Sequence, residues 1–180
     1  MYIFKKTLFL LHALVLRFTP SDPAGAKPVI PLPDTSAIPV FSDNVLPSML
    51  VHLGVLDVSQ SAYAAHRSAF AKLDVEGNLA YTPTVVQGGA VGQGSHKLPE
   101  VEEGPVFNEE EAYALRAAAV DACELLVKTA KKLHLESHPE ENKWMENLTL
   151  PGLDGWLWAV AKEGRLRSLS RFAQPGTAMY

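Results

Sequence analysis

The stretch "FSDNVLPSMLVHLGVL", residues 41–56, decides how the chain is read. An aspartate and an asparagine stand directly before a strongly apolar run. Leu46, Met49, Leu50 and Leu53 recur at i, i+3, i+4 and i+7, the spacing of one helix face. Pro47 falls in the first turn, where its missing N–H would have no partner anyway. Gly54 supplies a C-terminal stop. Asp43 then has two compatible readings. As structure, it is an N-cap whose side-chain oxygen accepts from the first free N–H groups. As function, it is an acid fixed at a helix entrance that still presents an oxygen to a ligand.

Upstream, residues 3–17 form an apolar helical pattern with little polar face, which predicts a central, buried helix. Lys5 and Lys6 precede "TLFLLHALVL", and "AGA" follows at 24–26, an arrangement that imitates a signal peptide. The run is short for a bilayer and contains His12 before Arg17, so the reading is an internal helix and no membrane span. Residues 19–39 hold six prolines and read as a linker or surface loop.

Downstream, a third helix is predicted over about 60–73, with Tyr63, Arg67, Phe70 and Leu73 on one side. Residues 76–107 are rich in glycine, proline and valine and read as a flexible insertion. The stretch "NLAYTPTVV" within it reads as a short hairpin. The insertion contains no GxGxxG and no GxxxxGK[ST], so no phosphate loop is supported. Asn108 and Glu111 suit the two ends of a capping box, opening a fourth helix. Leu115, Ala119, Ala122, Leu126, Ala130 and Leu133 form its apolar stripe. A fifth helix starts near Asp154, with Leu153, Trp156, Leu157 and Val160 at helical spacing. The class is mostly α, in a single domain over 1–180.

Hydrophobic residues make up 47% of the 180 and charged residues 20%, an ordinary globular balance. Sixteen basic against 20 acidic side chains give a net charge of −4. That balance does not suit broad contact with the phosphates of a long nucleic acid. The single cysteine, Cys123, excludes an internal disulfide and fits a reducing compartment.

Several residues could carry chemistry. Asp154, in "LDGWLW", reads as a helix cap or as a pocket acid. Trp156 and Trp158 point to different faces, one for the core and one for stacking a flat base. Arg116 and Glu124, eight apart on the fourth helix, read either as surface charges or as a polar pair beside a pocket. His134 and His138 have metal-ligand spacing, but Pro139 ends the helix and no third ligand is obvious. Cys123 lies among the stripe residues and reads as a small core side chain.

Four blocks carry a family resemblance. "FSDNVLPSMLVHLGVLDVS" resembles the "FADYRLPQVLxHLGxLxYS" signature of the queuosine salvage proteins, the queuosine 5′-phosphate N-glycosylases. "IFKKTLFLLHALVLRF" is similar to the basic-apolar helix preceding it. "LRAAAVDACELL" is similar to "IRGCSxxxVELI", with Arg116 and Glu124 at the same separation. "LDGWLWAVAK" is similar to "LDYYLWxxxx". The chain ends on Tyr180, as members of that family end on tyrosine. The blocks cover the C-terminal half of a typical member.

The resemblance implies a largely helical fold similar to helix-hairpin-helix DNA glycosylases. It implies hydrolysis of the N-glycosidic bond of queuosine 5′-monophosphate, releasing queuine for tRNA modification in the cytoplasm. Asp43 matches the active-site aspartate, with Lys5, Asn44, Arg116, Glu124, Asp154, Trp158 and Tyr180 as the implied substrate-binding positions. No metal or organic cofactor is implied. The implied partner is the small nucleotide itself, with no direct nucleic-acid contact and no membrane. The chain departs from the pattern at Val45, where the family has arginine. It departs again at "FAQPGTAMY", where the family has "FHRxRxxYY" and hence natural phosphate ligands. The alternative is a truncated or divergent helical module of the same family without catalysis.

Overall fold

The computed structural model describes residues 3–19, 31–70, 104–136 and 142–177. Its helices are α1 (Ile3–Phe18), α2 (Val45–His52), α3 (Ala64–Ala69), α4 (Glu109–Glu136), α5 (Lys143–Glu146) and α6 (Leu150–Val160). A 3₁₀ turn at Gly164–Ser168 follows α6. The fold is mostly α, as the periodicity predicts. Among the described residues the one β pairing is an isolated parallel bridge between Val106 and Ala173.

The short helix α2 is the centre of the molecule: every one of its residues is buried. Leu46 and Leu50 pack with Ala119, Cys123 and Val127 of α4 and with Leu153 and Leu157 of α6. Val45 and Met49 face Val160, Ala161 and Leu166. Val51 closes a third cluster with Phe107, Leu115 and Phe172. Each fully buried leucine or methionine here contributes about 1.5–3 kcal/mol of transfer free energy. Gly54 has a φ of 71°, so the backbone turns off the helix where the sequence places its stop.

The polar residues of α2, with Asn44 just before it, have a separate task. Asn44, Ser48 and His52 recur every four positions and clasp one extended segment. The Asn44 Nδ2 donates to the Phe172 carbonyl at 3.0 Å. The Phe172 N–H donates to Ser48 Oγ at 3.2 Å. The His52 Nε2 lies 2.9 Å from the Ser170 carbonyl, which fixes that nitrogen as the donor. On its other side the segment exchanges hydrogen bonds with 105–107: Phe107 N–H to the Ala173 carbonyl, 2.9 Å, and Ala173 N–H to the Pro105 carbonyl, 2.8 Å. Residues 104–107 therefore belong to the packed fold rather than to a flexible insertion, and Phe107 is among the largest buried side chains. Residues 76–103, the hairpin predicted within them, and residues 20–30 lie outside the described residues.

Helix α1 forms where predicted, but it is not central. Phe9, Leu10 and Leu16 are 59%, 60% and 68% exposed. The core around α2 is already enclosed by α4, α6 and the 170–173 segment, so α1 is left at the periphery. Its apolarity was a poor guide to its burial. The His12 Nδ1 meets Thr35 Oγ1 at 2.8 Å, and Phe9 packs edge-on against Phe41 with centroids 5.6 Å apart. No helix among the described residues is long and apolar enough to cross a membrane.

The capping box of α4 is present in both directions: Asn108 N–H to Glu111 Oε2, 2.9 Å, and Glu111 N–H to Asn108 Oδ1, 3.0 Å. The buried ridge of α4 runs through Ala112, Leu115, Ala119, Cys123 and Val127, so it is turned from the predicted stripe and leaves Leu133 exposed. Helix α3 starts later than predicted, because residues 57–63 use Asp57 and Ser61 side chains to cap turns instead, and Leu73 lies outside the described residues. The last helix opens at Thr149, not Asp154: Thr149 Oγ1 accepts from the Gly152 N–H at 3.2 Å, with Pro151 in the first turn. Asp154 is consequently not a cap but a buried mid-helix side chain.

Candidate functional site

The start at Thr149 sets the phase of α6. Asp154, Trp158 and Lys162 are four apart and fall on one face, continuing just past the helix end. That face lines a cavity of about 520 Å³, closed on the opposite side by Lys6, Phe9 and Leu16 of α1, with Phe41 joining the two walls. Asp154 is buried, whereas Lys6 and Lys162 are exposed, so the carboxylate lies deep and the ammonium groups stand at the rim.

Asp154 is held by a long-range contact: the Phe41 N–H donates to its Oδ2 at 3.1 Å. The Phe41 ring in turn meets Phe9 edge-on. The Lys162 Nζ lies 4.8 Å from the centroid of the Trp158 ring. The cavity thus offers aromatic walls, an amide-bonded carboxylate and two cations. It can hold a flat ring that carries an anionic group.

Cys123 lies in the core, and burial, aided by the Asp154 charge, pushes its pKa up to about 12. The thiol stays protonated at neutral pH, which fits the core role read from sequence.

Of the residues singled out in the sequence, the structure brings Asp154 and Trp158 together in the cavity. Asp43 is not among the lining residues. It is buried, and its Oδ1 accepts from the Val45 and Leu46 N–H groups at 2.8 and 3.3 Å. That is the capping pattern of the first reading. Asn44 belongs to the clasp described above. Arg116 and Glu124 do not form a polar pair beside this cavity. The Arg116 Nη1 donates to Gln174 Oε1 at 2.9 Å and its guanidinium covers Phe172, while Glu124 pairs with Lys128 on the surface at 3.3 Å. The side chain of Lys5, and all of Tyr180, fall outside the described part. Trp156 is 53% exposed, while Trp158 is half-buried, packing against the Val45 and Met49 cluster as it lines the cavity.

Sequence reasoning missed Lys6, Phe9, Phe41 and Lys162. The four-residue spacing of Asp154, Trp158 and Lys162 was the available signal, hidden by starting the helix too late. His134 faces Glu146 at 3.9 Å, and His138 lies outside the described residues. Among the described residues no group of three or more His, Cys, Asp or Glu is placed to hold a metal ion. No protein-family model matches the chain, and comparison with the curated proteins and with the solved structures finds no match either.

Proposed function

We propose that the chain hydrolyses the N-glycosidic bond of queuosine 5′-monophosphate and releases queuine, in line with the four sequence blocks. One observation carries the reading. A buried carboxylate, aromatic side chains and two lysines meet in a single cavity of about 520 Å³. That size is usual for small-ligand sites, roughly 300–1,000 Å³. Aromatic faces suit the base, and ammonium groups suit the phosphate. A carboxylate beside the sugar stabilises positive charge as the bond loosens.

In this reading Asp154 is the acid at the sugar, because it reaches the cavity, while Asp43 holds the start of α2. Water adds to ribose C1′. The C1′–N bond breaks and its electron pair leaves with the base. The net result moves one water proton onto the released base. Asp154 orients the water and balances the charge that develops on the sugar. The helix-hairpin-helix likeness and the cytoplasmic setting belong to the same reading.

A second reading is a helical module that holds the nucleotide without cleaving it. The burial of Asp43, the acid that the resemblance implies, favours it. Purified protein incubated with queuosine 5′-monophosphate separates the two. Free queuine that disappears with Asp154→Asn supports the hydrolase. Binding without release leaves the module, and neither binding nor release removes both.

A further inference from the structure

We infer that Lys162 is the residue by which this cavity distinguishes a phosphorylated ligand from its unphosphorylated counterpart, with the Trp158 ring as the resting place of its charge. The inference rests on the nucleotide reading of the cavity and adds the determinant of its specificity. Lys162 lines the cavity one turn beyond Trp158. Its Nζ sits 4.8 Å from the ring centroid, and it makes no ion pair among the described residues. The surface lysines Lys128 and Lys132 behave differently, each pairing with a glutamate one turn away. Among the described residues the one carboxylate lining the cavity, Asp154, is buried and engaged by the Phe41 amide.

A cation over an exposed aromatic face is weakly held. A charge-assisted hydrogen bond to a phosphate is stronger. An incoming phosphate therefore draws the ammonium off the ring. That movement has a second effect, because it uncovers the indole face for a planar base. Phosphate capture and base stacking are in this way coupled through one side chain. An unphosphorylated nucleoside must displace the ammonium with no phosphate to receive it. Lys6, on the facing wall, adds to the positive rim but is not tied to the stacking surface.

The test is calorimetric titration of queuosine 5′-monophosphate and of queuosine, each into wild-type protein, Lys162→Met and Lys162→Arg. Methionine keeps an apolar stem against Trp158 and removes the charge. The expected result is that Lys162→Met weakens binding of the monophosphate by about ten- to hundredfold. Queuosine binding stays equal or tightens, and Lys162→Arg restores the preference. Equal loss of both ligands in Lys162→Met, or no loss of either, overturns the assignment and leaves the nucleotide reading standing. Wild-type protein that binds neither ligand removes the nucleotide reading and this assignment with it.

Discussion

The backbone N–H of Phe41 donates to the Asp154 carboxylate across 3.1 Å, joining residues 113 positions apart in the chain. The bond ties the entrance of the central helix to the face of α6 that lines the cavity. It also leaves Asp154 with two duties. One is to satisfy a buried donor, and the other is to present charge to the cavity.

Substitution separates those duties. Asp154→Asn keeps an acceptor for the Phe41 amide and removes the charge. It should fold and lose queuine release by about 10²–10⁴-fold. Asp154→Ala should in addition lose about 1–3 kcal/mol of stability, because a buried N–H is left without a partner. Product chromatography and urea denaturation measure the two effects. Full activity in Asp154→Asn would falsify the role given to this acid.

Asp43 offers the complementary pair. Asp43→Ala removes the acceptor for Val45 and Leu46 N–H and should cost about 1 kcal/mol. Asp43→Asn retains a good cap and should restore most of that loss. With the acid at Asp154, Asp43→Asn also releases queuine at the wild-type rate. Lost release in a stably folded Asp43→Asn would return the catalytic assignment to Asp43.

Gly104 lies tightly against the Arg171 backbone. A Cβ added there would fall inside the Arg171 backbone carbonyl. The obstacle is main chain, which cannot swing aside as a flexible side chain can. Gly104→Ala should destabilise by about 1–3 kcal/mol and loosen the Val106–Ala173 pairing. Hydrogen exchange at the Phe107 and Ala173 amides reports the second effect; unchanged protection there would contradict it.

His52 gives stability a dependence on pH. Burial holds its pKa below the ordinary 6.5, while the hydrogen bond to the Ser170 carbonyl opposes the shift. The unfolded chain therefore takes up this proton more readily than the folded one. Stability is complete above about pH 6.5 and is lost as pH falls below it. Urea midpoints measured from about pH 7 down to 5 should drop, and His52→Gln should flatten part of that drop. Identical slopes in the two proteins would exclude His52 as a source.

Much of the architecture was legible where the signal is local. The α2 stripe, the stop at Gly54 and the Asn108–Glu111 box depend on residues within a few positions of one another, and each is found. The late start assigned to α6 is a failure of the same local kind. Thr149 followed by Pro151 was a readable opening, but the more familiar aspartate at 154 drew the boundary. The other misses are long-range. Nothing near Asn44, Ser48 or His52 announces a segment more than a hundred residues away, so their shared stripe passed unnoticed. The apolar length of α1 suggested a core helix because composition states what can be buried, not what space the rest of the chain leaves for it.

The placement of α1 carries a thermodynamic consequence. The helix supplies one wall of the cavity while keeping much of its apolar surface in water. Cavity shape and helix attachment are then one linked equilibrium, since a ligand touching both walls binds only the closed arrangement. Any change that frees the helix lowers apparent affinity by the fraction of molecules still closed. Substitution of Thr35, which holds His12 but does not line the cavity, would register as weaker binding through that fraction alone.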